Sequence, residues 1–361
     1  MEPAPLSSLQ EEEGGPAGED SSAFSAAAVP PRPATHSHSL HKYAPLDWSD
    51  YFDEERPVAI PGTDDVFNVY MAGSEGPVVF CLHGGGYSVL SFALAARQMK
   101  EKARVVAMDL RGHGKSTTSN DVDLSIETLT NDVIAVIRTM YGDSPPAIIL
   151  VGHRCSYFAW VVQWLYMWLQ EKKFEIFMDL SSLMLLRPGT VMASLVHMQK
   201  ILSNREQHFP SIEKAIEWSV KGGPLRNVES ARVSIPSTLK YDESRECYTY
   251  RTPLEQTEKY WKGWYEGLSD KFLSCPVQKI LLLAGTDRLD KYEHFFLLTS
   301  QALTIGQMQG KFQMVVVRHT GHAIQEDVPE EFASHILNFI SRNKIGPNGV
   351  EIPGIVKKWG R

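Results

Sequence analysis

The chain has 361 residues, of which 43% are apolar and 22% are charged, and its formal net charge is −7. This length suits one large domain or two modest ones, and the apolar content excludes a chain that is mostly disordered. The acidic balance argues against nucleic acid or an anionic membrane as a partner.

Residues 1–42 are rich in Pro, Ala, Ser, Gly and Glu and have no hydrophobic period, which predicts a disordered tail. Glutamates at 11–13 occupy the place where a signal peptide needs an apolar core. A metal site at His36, His38 and His41 is the weaker interpretation, because no Cys or carboxylate stands near them to complete it.

The four cysteines are scattered and show no C-x-x-C spacing, which predicts free thiols in a reducing compartment. The longest apolar run, 157–169, is shorter than the about 20 residues that span a bilayer. We therefore expect a soluble protein in the cytoplasm, the nucleus or both.

Between residues 43 and 345 short β-rich runs alternate with amphipathic helices. Ser125 caps one helix and Pro329 starts the last one, and the alternation predicts a mostly parallel sheet with helices on both faces. Residues from about 192 to 268 show no clear strand, which predicts a helical cap insertion, and 346–361 form a C-terminal tail. The predicted strands are 66–70, 78–82, 105–109, 147–151, 280–284 and 312–317.

Two glycine-rich motifs follow neighbouring predicted strands. His83-Gly84-Gly85-Gly86 comes directly after the run 78–82, and residues without side chains let backbone N–H groups approach a ligand closely. This loop is typical of the oxyanion hole of α/β-hydrolases, with a bare glycine turn as the alternative. The segment 109–114, D-L-R-G-H-G, resembles a turn of the same fold, and we predict a structural role for it.

Two further motifs follow the last predicted strands. His322, in Gly-His-Ala after the run 312–317, stands where this fold places its general base; a surface histidine is the alternative, and His319 is a weaker rival. Asp287, after the run 280–284, stands where many such hydrolases keep the carboxylate that orients the histidine. A turn aspartate that caps the next helix is the other interpretation.

These motifs, in this order, are typical of an α/β-hydrolase, and the chain resembles the protein phosphatase methylesterase family. The resemblance implies removal of the methyl ester from the C-terminal carboxylate of the type 2A protein phosphatase catalytic subunit. It further implies a serine-type carboxylesterase that is a monomer, needs no metal or organic cofactor, and has that subunit as its partner. The matching stretches are 74–86, 141–153, 211–232, 258–289 and 303–327.

The chain departs from the family where the nucleophile belongs. The family has Gly-His-Ser-Met-Gly-Gly, whereas here Arg154 follows Gly-His, and a permanently protonated guanidinium cannot attack a carbonyl. Cys155 and Ser156 lie one and two residues after the position of the family's nucleophile and are the remaining candidates for that role. The family's aspartate, in Ile-Asp-Val-Val-Glu-Gly-Thr, is also missing, because residues 184–187 read M-L-L-R.

Both departures fall within residues 154–187, which contain Trp160, Trp164 and Trp168. That spacing is typical of a buried helix face or a partner surface. However, codons compatible with 159–170, read in another frame, give the Met-Gly-Gly-Ala sequence expected after the family's nucleophile. We hypothesise that the block is an out-of-frame translation, and we expect it to pack poorly, with its tryptophans partly exposed.

The family mechanism implies that a serine attacks the ester, that His322 transfers the proton, and that N–H groups near Gly85 and Gly86 stabilise the oxyanion. We expect His322 at the carboxyl edge of the sheet, within reach of the glycine loop and of the turn after Val151. If Asp287 lies within hydrogen-bonding range of His322, it can hold the imidazole tautomer in place of the family's aspartate. Two alternatives stay open: an inactive hydrolase scaffold that binds the phosphatase, and a general hydrolase of small esters or lipids.

Overall fold

The structure is a computed structural model that describes residues 42–142, 145–153, 174–179, 199, 202–223, 225–265, 273, 277–284, 306, 309–310, 312–321, 323–347 and 349–350. For residues 174–179, 265 and 349–350 the backbone alone is described. The predicted tail with its three histidines, except for residue 42, and the three tryptophans of the block 154–187 lie outside the described residues.

The described elements are seven α-helices, thirteen strands and three short 3₁₀-helices. The strands are β1 Glu54–Ala59, β2 Val66–Ala72, β3 Val78–Leu82, β4 Arg104–Met108, β5 Ile148–His153, β6 Phe174–Asp179, β7 His208–Phe209, β8 Leu239–Asp242, β9 Cys247–Tyr250, β10 Lys279–Ala284, β11 Gln313–Val317, β12 Ile345–Gly346 and β13 Gly349–Val350. The helices are α1 Ala93–Met99, α2 Ile126–Tyr141, α3 Ile212–Lys221, α4 Val228–Ser237, α5 Glu258–Tyr265, α6 Ile324–Asp327 and α7 Pro329–Arg342, and the 3₁₀-helices are Trp48–Asp50, Val89–Phe92 and Leu254–Thr257.

Eight strands form one sheet in the order β1-β2-β4-β3-β5-β6-β10-β11. The pairs of β2 with β1 and with β4 are antiparallel, and the remaining pairs are parallel. All six predicted strands are confirmed to within a few residues. The sequence analysis missed β1, whose residues are largely exposed, and β6, which falls inside the block that departs from the family.

Alternate residues of the central strands face two separate cores, as the period of two in a β-strand requires. Phe80 of β3 faces a core that α2 covers, whereas its neighbour Cys81 faces the core covered by α1 and α7. Because apolar side chains are buried on both faces, these strands appear in the sequence as continuous apolar runs.

The helices begin where the sequence predicts. Ser125 accepts a hydrogen bond from the Thr128 N–H at the start of α2, and Pro329 is the first residue of α7. The apolar face of α7, with Phe332 and Ile336, is fully buried. In the described part of the chain, no helix is long and apolar enough to cross a membrane.

The cap is not purely helical, contrary to our expectation for residues 192–268. It contains α3, α4 and α5, but also a three-stranded sheet in the order β7-β9-β8. Its strands have two to four residues, which is too short to show a period, so cross-strand pairing rather than local pattern defines them. Ser211 caps α3 and accepts a hydrogen bond from the Lys214 N–H, and β12 and β13 pair at the start of the predicted C-terminal tail.

Candidate active site

The carboxyl ends of β3 and β5 bring two of the motifs together. In the parallel pairing Leu82 of β3 lies opposite Gly152 of β5, so the glycine loop begins at the edge of the sheet where β5 ends. Ligands of open parallel α/β sheets bind at this edge. Strands β10 and β11, which precede Asp287 and His322 in the sequence, run in the same direction and end there too.

His83 fixes the start of the glycine loop. Its Nε2 accepts a hydrogen bond of 3.0 Å from the Leu110 N–H, so the proton lies on Nδ1, which donates to the Gly84 carbonyl at 2.8 Å. Burial lowers the pKa of His83 to about 4, and the ring is therefore neutral at pH 7. His83 is a structural residue that connects the glycine loop with the D-L-R-G-H-G turn, and it does not take part as a base.

His113 makes the reciprocal connection. Its Nε2 accepts a hydrogen bond of 3.0 Å from the Gly86 N–H, and its Nδ1 lies 2.8 Å from the Arg111 carbonyl, to which it donates. Burial, together with the neighbouring His83, lowers the pKa of His113 to about 3. The two rings pack with their centroids 4.9 Å apart.

This connection decides which amides can serve an oxyanion. The Gly86 N–H is already used by His113, which corrects the expectation that both Gly85 and Gly86 donate to the oxyanion. In the part of the chain that the structure describes, the amides of Gly84 and Gly85 have no acceptor, and Gly85 is the exposed residue of the loop. The Gly85 N–H is therefore the donor that a ligand can reach.

The D-L-R-G-H-G turn is confirmed as structural. The buried Asp109 carboxylate accepts from the Val89 N–H at 3.0 Å and from the Lys115 N–H at 3.1 Å, although burial still raises its pKa. Gly114 has a φ of +51°, and a Cβ on it would lie 2.0 Å from Asp109 Oδ2. The glycine of this motif is therefore required by both the backbone conformation and the close approach of the carboxylate.

Arg111 of the same turn forms a buried ion triad. It makes bidentate hydrogen bonds of 2.8 and 2.9 Å to Asp132 of α2 and one of 2.9 Å to Asp65. These carboxylates raise the pKa of Arg111, and the hydrogen bonds that Asp65 accepts hold its pKa below the usual value although burial opposes them. The triad ties the turn to α2.

The loop that carries the predicted base is held on both sides of His322. The Asp327 carboxylate accepts from the Gly321 N–H at 2.6 Å and from the Arg226 N–H, next to α4 of the cap, at 2.7 Å. Glu326 accepts from Ser234 of α4 at 2.6 Å, and burial raises its pKa to about 8. The acidic pair at the end of α6 therefore joins the base loop to the cap.

The predicted catalytic side chains, His322, Asp287 and Ser156, lie outside the described residues, as does Arg154. Asp179 lies at the carboxyl end of β6 and pairs in register with His153. The sequence did not point to it, because the surrounding block does not match the family. Among the described residues, no group of three His, Cys, Asp or Glu could hold a metal ion.

Residues of the cap pack against the glycine loop at Gly86. A Cβ on Gly86 would lie 2.8 Å from the Leu254 side chain and 3.4 Å from Arg205 Nη1, and the Thr252 hydroxyl donates to the Gly112 carbonyl at 2.7 Å. Arg205 stacks on Tyr250 of β9, with its guanidinium carbon 3.2 Å from the ring centroid. Sequence analysis missed these residues, because no motif marks a contact between cap and sheet edge.

Known proteins match both the fold and the sequence. A family model described as the alpha/beta hydrolase family matches residues 78–153, from the start of β3 to the end of β5. The protein phosphatase methylesterase 1 of Homo sapiens is 40% identical over 349 residues, covering 84% of this chain and 86% of that protein. The protein of the same name from Schizosaccharomyces pombe is 37% identical over 318 residues, covering 82% of this chain and 85% of its own length.

Solved structures give the fold independently. E-2-(acetamidomethylene)succinate hydrolase aligns with a TM-score of 0.62 and 18% identity over 80% of this chain and 99% of that one. The thioesterase domain from the curacin biosynthetic pathway aligns with a TM-score of 0.59 and 21% identity over 79% and 99%. At these identities the similarity concerns the fold alone, and the predicted α/β-hydrolase fold is confirmed.

Proposed function

The chain belongs to the protein phosphatase methylesterase family, and we propose that its substrate is the C-terminal methyl ester of the type 2A protein phosphatase catalytic subunit. The family makes it a methylesterase of the serine-hydrolase type. The observation that carries the proposal is the amide of the exposed Gly85, which has no acceptor among the described residues and follows β3 at the edge of the sheet where β5 ends. A carbonyl oxygen bound there gains a donor as negative charge develops on it.

The proposed reaction is the one that the family resemblance implies. A serine hydroxyl attacks the ester carbon while His322 takes its proton and Asp287 orients the imidazole. The bond between the ester carbonyl carbon and the methoxy oxygen then breaks. His322 passes its proton to that oxygen, so that methanol leaves. Water, deprotonated by the same histidine, then attacks the acyl-serine. The bond to the serine oxygen breaks, the histidine returns the proton to that oxygen, and the peptide carboxylate is released. The Gly85 N–H stabilises the oxyanion in both halves.

The chain as written lacks a serine at the position of the family's nucleophile. Arg154 occupies the position of the family's serine, and Ser156 is the nearest serine. The relatives are named as methylesterases, which favours an enzyme over an inactive scaffold, and we propose that the in-frame sequence of the block 154–187 carries the serine. Resequencing the transcript across the codons for 150–192 tests this directly.

We also propose that the protein acts as a monomer in the cytoplasm, the nucleus or both. Cys81 and Cys247 are free thiols, which supports a reducing compartment for this enzyme.

The decisive experiment measures methanol release from a methyl-esterified C-terminal peptide of the phosphatase. It compares the chain as written with a repaired protein that carries the in-frame block, and uses a generic short ester as the second substrate. We expect the repaired protein to prefer the peptide and to be labelled by a fluorophosphonate at its restored serine. His322→Ala should lower its rate by ~10²–10⁴-fold, whereas His319→Ala, three residues away, should leave the rate unchanged.

Each contrary result has its own meaning. A repaired protein that folds but stays inactive with His322 intact shows that the histidine assignment is wrong. Faster turnover of the generic ester points to a general ester hydrolase. If the chain as written binds the phosphatase, releases no methanol and takes no label, it is a binding scaffold.

A further inference from the structure

Arg205 places a positive charge at the oxyanion loop. It belongs to the cap, three residues before β7, and its Nη1 would lie 3.4 Å from a Cβ placed on Gly86. The neighbouring Gly85 carries the N–H that remains available to a ligand. A carboxyl group seated in the oxyanion site therefore lies close to this guanidinium.

The contacts of Arg205 hold the side chain without neutralising it. The guanidinium stacks on Tyr250 at 3.2 Å, and the Tyr250 ring is supported by Phe209, whose centroid lies 5.8 Å away. Burial raises the pKa of Tyr250, so the phenol stays neutral. Leu254, which lies with Arg205 at the Cβ position of Gly86, is apolar. In the described part of the chain no carboxylate, including that of Glu206, lies within ion-pair distance of Arg205.

A stacked and oriented guanidinium that has no carboxylate partner among the described residues is suited to a planar anion that can accept two parallel hydrogen bonds. The methyl ester is neutral, whereas its hydrolysis leaves a carboxylate at the same carbon. The charge at Arg205 therefore interacts differently with the substrate and with the product of the proposed reaction.

We propose that Arg205 binds the C-terminal carboxylate that demethylation leaves on the substrate peptide, so that the protein holds the demethylated tail more tightly than the methylated one. This inference rests on the proposed function, because it takes the phosphatase tail as the ligand. It adds a product-binding role to the cap: the same site that removes the ester retains the free acid and slows its release.

The chain as written suits the test, because it has Arg154 in place of the family's elbow serine and binding can be measured by calorimetry with the methyl ester intact. Three forms of one phosphatase C-terminal peptide are compared: the free acid, the methyl ester and the amide. Arg205→Met should weaken binding of the free acid by ~10- to 100-fold, the range for a lost hydrogen bond to a charged group. The ester and amide should change by less than about 3-fold.

Two control variants complete the test. Arg205→Lys retains the charge without the fork and should give an intermediate loss for the acid. Arg245→Met removes another cap arginine, which pairs with Asp242, and should bind all three peptides as the parent does. Thermal unfolding of each variant identifies any loss that comes from misfolding.

The outcomes separate this inference from the function on which it rests. An equal loss of acid, ester and amide binding in Arg205→Met means that Arg205 merely fastens the cap, and an unchanged affinity for the acid means that it does not touch the carboxylate; either result overturns the inference and leaves the proposed function standing. If the parent chain binds none of the three peptides, the repaired protein with its restored serine replaced by alanine is titrated in the same way. If that protein also binds none of them, the proposed substrate is wrong and the inference falls with it.

Discussion

Replacing Arg111 by leucine removes the cation of the buried triad while leaving both of its carboxylates in place. The Arg111 side chain is 6% exposed, and those of Asp65 and Asp132 are 12% and 8% exposed. Three hydrogen bonds of 2.8–2.9 Å to carboxylate oxygens are lost, and leucine supplies no donor to replace them.

Removing one partner from a buried ion pair costs about 3–5 kcal/mol, mostly because a buried charge is left without compensation. That is a large part of a total stability of about 5–15 kcal/mol. With a urea m-value of about 3 kcal/mol/M, the unfolding midpoint should fall by roughly 1–1.7 M at unchanged m.

The loss should depend on pH in a defined direction. Asp65 keeps the hydrogen bond from the Ser119 N–H, which lowers its pKa. Burial, however, already raises the pKa of Asp132 although Arg111 opposes it, and without Arg111 this pKa rises further above its unfolded value. A group of this kind stabilises the fold at low pH, and that contribution disappears as pH rises through its folded pKa. The deficit of Arg111→Leu should therefore be smaller at pH 5 than at pH 8.

Urea unfolding followed by tryptophan fluorescence measures these values, with Arg56→Leu as the matched control. Arg56 pairs with Glu54 at the surface, where both side chains are about half exposed, so its loss should stay within about 0.5 kcal/mol. Adding Asp65→Asn and Asp132→Asn to Arg111→Leu should recover part of the stability. If Arg111→Leu unfolds at the same urea concentration as Arg56→Leu, the triad does not stabilise the fold.

Three further predictions concern the same region. Gly114→Ala should give insoluble or strongly destabilised protein, because its Cβ would lie 2.0 Å from Asp109 Oδ2. A soluble yield and a melting temperature equal to those of the parent would contradict this. Glu326→Gln should flatten the decline in stability between pH 4.5 and about 8, where the neutral folded carboxyl holds a proton that the unfolded chain has lost, and pH-dependent unfolding checks it. His113→Ala in the repaired protein should lower kcat more than it changes KM, because the Gly86 amide loses its acceptor and the oxyanion loop loosens; equal changes in both would argue against that role.

Local sequence determined the elements and the sites of the motifs. The Ser125 cap and the apolar face of α2, like the proline start of α7, act between residues three or four positions apart, so periodicity and capping suffice to predict them. Likewise the glycine loop and the base loop were identified because each directly follows an apolar strand, and parallel strands end at one edge.

Tertiary structure decided what those motifs do. The His83 and His113 rings reach across 27 residues of sequence to each other's motif, and this long-range exchange determines that Gly85, rather than Gly86, can serve a ligand. The strands of the cap sheet are too short to carry a period, and Arg205 stands at the oxyanion loop because the cap folds over the sheet edge. Neither the pairing of the cap strands nor the contact of Arg205 with the glycine loop leaves a local sequence pattern, because both join residues that are distant in the chain.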